Sequence, residues 1–154
     1  MTPAQRPLDP VFESKVRRSF EGQTIMKTLG ARLVRVEPGL CTIELDFDPR
    51  FTQQHGFLHA GITSTIADSA GGYAALTLMP AGASILTVEY KVNLLAPAAG
   101  ERFVATGRCV KSGRRVSVSE IEVRAIQGSR ESLCLFGLST NLCLPDAPGG
   151  GPPR

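Results

Sequence analysis

Residues 59–78 read as one helix of small and apolar residues in which Asp68 is the lone acidic or basic side chain beyond His59. A carboxylate in such a setting is costly to desolvate. Either it is a structural acceptor for neighbouring hydroxyls, or it does chemistry as a general base or nucleophile. Attack on a carbonyl also needs donors for the oxyanion. The first turn of a helix supplies them, because its N–H groups have no partner inside the helix and carry a partial positive charge. Ala60 stands in that turn, eight residues before Asp68. That separation is about 12 Å at 1.5 Å per residue, too far for both groups to touch one carbonyl. Two such helices antiparallel about a twofold axis would set Ala60 of one copy beside Asp68 of the other. Gly71-Gly72, unfavourable in a helix, would then be compensated by close packing against another backbone, such as a partner helix.

Other chemistry-bearing residues are fewer. His59 suits orientation or capping better than proton abstraction, since no Ser or Cys signature accompanies it as a nucleophile. His55 lies in a loop with no third ligand at a metal-binding spacing, so no metal and no cofactor is expected. Cys41, Cys109, Cys134 and Cys143 are widely spaced, form no CxxC pair and read as buried thiols. Phe57, Leu58, Tyr73 and Met79 are candidates either for a pocket wall or for the core.

The positioning elements follow from periodicity. Residues 9–20 repeat apolar side chains at helical spacing, with Asp9 as N-cap and Pro10 at the first helical position. Residues 31–36 and 40–47 alternate about Glu37-Pro38-Gly39 as a hairpin, and residues 48–58 form a loop before the long helix. Four strands are expected at 84–94, 101–111, 115–126 and 131–142, joined by short connections as an antiparallel meander. The sum is an α+β domain, a curved antiparallel β-sheet wrapped around one long central helix. Residues 1–29 form an N-terminal helical segment, residues 30–144 the domain, and residues 145–154 a Pro/Gly tail expected to be disordered.

With 154 residues, 42% hydrophobic and 20% charged, the chain suits one domain and leaves no room for a second. The net charge of +3 is spread along the chain rather than gathered in a run, which favours a small anionic ligand over nucleic acid. No window resembles a membrane span or a secretory leader, so a cytoplasmic protein with no membrane partner is expected.

The motif His59-Ala60-Gly61 with an acid nine positions after the His, together with Thr87-Val88-Glu89-Tyr90-Lys91-Val92-Asn93-Leu94-Leu95-Ala96-Pro97-Ala98, resembles the hotdog-fold acyl-CoA thioesterases. Within them it is most similar to the PaaI-like (phenylacetyl-CoA thioesterase) subfamily. The resemblance covers about residues 30–142 and departs from the subfamily at two places. Gln53 stands where that subfamily has Asn and Ala60 where it has Gly. Gln at the first position is similar to the hydroxybenzoyl-CoA branch, which has Glu where this chain has Asp68.

The resemblance implies hydrolysis of acyl-CoA thioesters by a homo-oligomer, a dimer or a dimer of dimers (homotetramer), with the active site at the subunit interface. Asp68 would be the base or nucleophile, the Ala60 N–H the oxyanion donor, Gln53 an orienting amide and Thr87 a group that places water, with Gly61 in the substrate-binding turn. Lys91, Lys111, Arg114 and Arg115 would meet the CoA phosphates. Two alternatives are a non-catalytic acyl-CoA binding protein and a hotdog enoyl-CoA hydratase. The hydratase would want a His paired with the acid on the helix.

Overall fold

The structure, a computed structural model, describes residues 6–144. Two short helices, α1 (Phe12–Gly22) and α2 (Thr24–Leu29), precede the hairpin β1 (Arg32–Glu37) and β2 (Leu40–Asp46). A 3-10 turn over Pro49–Phe51 leads to the long helix α3 (Ala60–Leu76), followed by β3 (Ser84–Leu94), β4 (Arg102–Lys111), β5 (Val116–Gln127) and β6 (Arg130–Leu144). The tail expected at residues 145–154 lies outside the described residues.

Two local expectations shift. Helix α1 begins at Phe12, two residues after the expected first helical position at Pro10, because Asp9 closes a turn of its own: its carboxylate accepts from the Val11 N–H at 3.0 Å and pairs with Lys15 at 3.0 Å. Helix α2 is separated from α1 by Gln23 in extended backbone and stops at Gly30 with φ of 72°, a left-handed cap that glycine adopts without strain.

The six strands form one antiparallel sheet in the order β1-β2-β4-β5-β6-β3. The expected meander therefore holds only for β4, β5 and β6. Strand β3 pairs with β6 at the far edge instead of with β4, since the chain leaving β3 passes the start of α3, where the Ala98 carbonyl accepts from the Leu58 N–H at 3.1 Å, before entering β4 beside β2. All strands from β2 to β6 touch α3, so the sheet curves around the helix.

The side of the sheet that α3 covers includes its small and polar residues. Ser117, Ser119, Ser139 and Asn141 have no exposed surface, whereas Val116 and Leu138 on the outer side are 44% and 49% exposed. Backbone proximity explains this. A methyl group on Gly107 would collide with the Ala70 carbonyl, and one on Gly71 would lie 2.5 Å from Ile121 Cγ2 and 2.7 Å from Ser139 Oγ. Gly71 and Gly72 thus find the close packing that the sequence leads one to expect on the chain's own sheet, with no partner helix needed for it. The Ser119 hydroxyl donates to the Gly71 carbonyl at 2.9 Å and fixes that approach.

Candidate active site

The start of α3 is pinned from outside the helix. His59 N–H donates to the Phe51 carbonyl at 2.9 Å, and Thr52 and Leu58 form an antiparallel bridge. His59 is the N-cap residue, and its Nδ1 accepts from the Gly61 N–H at 2.8 Å. Its carbonyl accepts from the Ile62 and Thr63 N–H groups at 2.9 and 3.3 Å. Of the first four N–H groups of the helix, then, Ala60 alone keeps no acceptor among the described residues. The ring of His59 is spent on the cap, which leaves the imidazole to shape the turn.

Ala60 opens onto a cavity of about 490 Å³ lined by Gln53, Phe57, Leu58, Thr63, Cys134 and the segment from Leu94 to Ala98. Most of these groups are apolar, as the walls of small-molecule sites commonly are. The Gln53 side-chain oxygen accepts from the His55 N–H, which folds that amide onto its own loop and directs its NH₂ elsewhere. Cys134 offers no nucleophile at neutral pH: burial pushes its thiol up to about 11, and it donates to the Val123 carbonyl at 3.3 Å. Cys41 is likewise pushed up to about 12 by burial.

Asp68 is half-buried and lines a different cavity, of about 160 Å³, with Ser19, Gln23, Ser69, Gly72, Tyr73, Ile85 and Thr87. Burial raises its carboxyl above the ordinary range, and a hydrogen bond with Thr87 partly offsets that rise. Its Oδ1 is buried with no hydrogen-bond partner among the described residues. Beyond it lies a small polar cluster that joins α1 to α3. Gln23 Nε2 donates to the Tyr73 hydroxyl at 2.6 Å, Ser19 meets the same hydroxyl at 3.3 Å, and Ser69 donates to Gln23 Oε1 at 3.3 Å. Ser19, Gln23 and Ser69 escaped the sequence reading because Ser and Gln in a helix carry no signal of their own. Tyr73 was a pocket candidate and lies here, whereas Met79 is buried in the core.

One chain therefore brings Asp68 to Thr87, and Ala60 to Gln53, but does not bring the two pairs together, since their cavities have no residue in common. Gly61 is exposed, and its N–H is held by the His59 cap. Arg114 and Arg115 line a third cavity with Pro80, Ala81 and Ala83 at the C-terminal end of α3, and Lys111 is exposed at the end of β4. Lys91 alternates to the outer side of β3, away from Thr87, where its Nζ donates to Asn93 Oδ1 at 2.9 Å. Among the described residues no group of three metal-ligating side chains occurs, and no helix is long and apolar enough to cross a membrane.

A curved antiparallel sheet wrapped on one long helix is the architecture of the hotdog thioesterases. The chain belongs to the Thioesterase superfamily, which residues 55–132 match, and it is a thioester hydrolase. It is similar to the solved structure of a thioesterase family protein from Silicibacter pomeroyi, with 46% identity and a TM-score of 0.85 over 86% of this chain and 98% of that one. Among curated relatives, a protein of Saccharolobus solfataricus is 35% identical over 68% of this chain and 74% of its own. Human acyl-coenzyme A thioesterase 13 is 28% identical over 80% of this chain and 86% of its own. The structure of the E. coli PaaI protein, at 17% identity and a TM-score of 0.78 over 88% of this chain and 95% of that one, shares the fold.

Proposed function

We propose that the protein hydrolyses acyl-CoA thioesters at a site built from two copies of the chain. The observation that carries this reading is the Ala60 N–H, the one unclaimed donor of the α3 first turn, facing an apolar cavity that holds no base. The complementary half is Asp68, a carboxylate with one oxygen unclaimed among the described residues, in a separate cavity. A second copy with α3 antiparallel joins the halves. The Ala60 N–H of one subunit stabilises the thioester oxyanion while Asp68 of the other takes a proton from water or attacks the carbonyl, with Thr87 holding the acid. Support for such pairing comes from β3. It is a sheet edge, and it exposes Leu86, Val88, Tyr90 and Leu94 by 48–59%, an unusual load of apolar surface for a solvated edge strand.

The antiparallel arrangement also brings the C-terminal end of one α3 toward the N-terminal end of the other. Arg114 and Arg115, beside that C-terminal end, would then serve the CoA phosphates of the partner's site. Acyl-CoA as substrate class is in keeping with the name of the human relative. Neither cavity has a His among its lining residues, which argues against alkene hydration. Release of CoA thiol from a panel of acetyl to long-chain, phenylacetyl, benzoyl and hydroxybenzoyl thioesters is the test. Tight binding of acyl-CoA with no thiol released would replace hydrolysis by a binding role. Single turnover in H₂¹⁸O that leaves ¹⁸O in Asp68 identifies a nucleophile whose mixed anhydride opens at the aspartyl carbonyl, trapping of that anhydride by hydroxylamine identifies one that opens at the acyl carbonyl, and a base gives neither result.

A further inference from the structure

Asn141 is fully buried on β6 in a place where an apolar residue would pack, and it is tied at both ends of its amide. Thr87 Oγ1 donates to Asn141 Oδ1 at 3.2 Å, and Asn141 Nδ2 donates to Ser139 Oγ at 3.2 Å. Thr87 also lines the Asp68 cavity, near enough for its hydroxyl, when turned to the acid, to favour the carboxylate. The four side chains thus form one unbranched chain from Asp68 to Ser139. A hydroxyl owns a single proton, so Thr87 cannot donate to Asn141 and to Asp68 at once. With its proton on Asn141, Thr87 offers Asp68 only lone pairs, an arrangement that suits a protonated Asp68 and opposes a carboxylate.

We infer that Asn141 is a positioning residue for Asp68, and that its amide turns over by a half rotation each time Asp68 gains or loses a proton. This rests on Asp68 being the ionisable group of the site. With Asp68 protonated, donation runs Asp68 to Thr87 to Asn141 to Ser139. With Asp68 ionised, it runs Ser139 to Asn141 to Thr87 to Asp68. Each direction has three hydrogen bonds, no proton leaves the chain at Thr87 or beyond, and only the ionised state ends on a charge-assisted bond. The amide exchanges its oxygen and nitrogen in the same space, so neither state disturbs the packing of Gly72, whose added methyl would lie 3.6 Å from Asn141 Oδ1. Among the described residues of the cavity, Thr87 is the one whose hydroxyl bears on the acid's ionisation. From α1, α3 and β3 the cavity presents Ser19, Gln23, Ser69, Gly72, Tyr73 and Ile85, of which Tyr73 alone can titrate, and its hydroxyl faces Gln23 and Ser19.

The test is side-chain NMR on the full-length protein, which needs no turnover. Asp68 Cγ, assigned by its loss in Asp68→Asn, gives the acid's midpoint. The Asn141 amide resonances, assigned with Asn141→Leu, should move with the same midpoint. Their proton contacts should change from Ser139 below it to Thr87 above it. In Thr87→Val, Asp68 still titrates while the Asn141 amide stays still, and in Asp68→Asn the amide is pH-invariant. An Asn141 amide indifferent to pH while Asp68 titrates overturns the inference, and so does one that still follows Asp68 in Thr87→Val, since that is a through-space field. If the protein released no thiol from any acyl-CoA, the hydrolytic reading would fall without touching this result.

Discussion

Replacing Ala60 with proline removes one hydrogen-bond donor and little else. Ala60 is the first residue of α3, where the fixed φ of proline is already helical, and its N–H has no acceptor among the described residues to lose. The preceding residue is restricted by proline to extended backbone, and His59 already has φ of −64° and ψ of 140°. Folding stability should therefore change by no more than about 0.5 kcal/mol, as for a substitution that touches no structural feature. Loss of an oxyanion donor, in contrast, should lower kcat by about 10²–10³-fold. Asp68→Asn should be impaired for a different reason, loss of the acid, and in a two-copy site the defects fall on opposite halves. In a heterodimer of the two variants one site lacks both groups and the other is intact. Random 1:1 exchange makes about half the dimers heterodimers with one good site of two, so about a quarter of the parental rate should return. Thiol release is measured before and after exchange, with heterodimers quantified by native mass spectrometry. Heterodimers that form and stay inactive refute the shared site, a monomer by light scattering refutes it outright, and Ala60→Pro within a few-fold of the parent removes Ala60 from the mechanism.

Asp68→Asn should lower kcat by at least about 10²-fold, the lower bound of general-base contributions, and activity within a few-fold would end its assignment. The same variant should melt at a higher temperature at pH 7. The folded pKa of Asp68 is raised above its unfolded value, so ionisation costs the fold stability at all pH above the raised pKa and costs nothing below the unfolded one. The difference in melting temperature should thus vanish on acidification below about pH 4. Activity that depends on the carboxylate should likewise fall on an acidic limb above the usual carboxylate range, read from kcat/KM against pH. Thr87→Ala should cost about tenfold in kcat, as loss of one hydrogen bond to a charged group does, and a loss equal to that of Asp68→Asn would invert their ranking. Gly107→Ala, whose methyl would meet the Ala70 carbonyl, should destabilise the fold by about 1–3 kcal/mol in denaturant titration, because helix backbone cannot yield as a side chain can.

Periodicity was enough to find the long helix, the hairpin and the later strands, because each is a local pattern of 3.6 or 2 residues written into consecutive positions. It was enough, too, to single out Asp68 and Ala60, since a lone acid in a small-residue helix and the first turn of that helix are both visible without a fold. The pairing of β3 with β6 was not legible: alternation gives a strand its two faces but no address for its neighbours, and the short loop after β3 invited a hairpin with β4. Nor did alternation say which face meets the helix. Ser117, Ser119, Ser139 and Asn141 have the look of a solvent face, yet they are buried, because only small residues let α3 sit as close as Gly71 and Gly107 allow. The same three-dimensional decision made Gly71-Gly72 a contact with the chain's own sheet, enclosed Asp68 with Ser19, Gln23 and Tyr73 from distant segments, and ran the chain from Thr87 through Asn141 to Ser139. Groups far apart in sequence become chemistry only when backbone packing brings them within a hydrogen bond of one another, and that distance is written in no single stretch of residues.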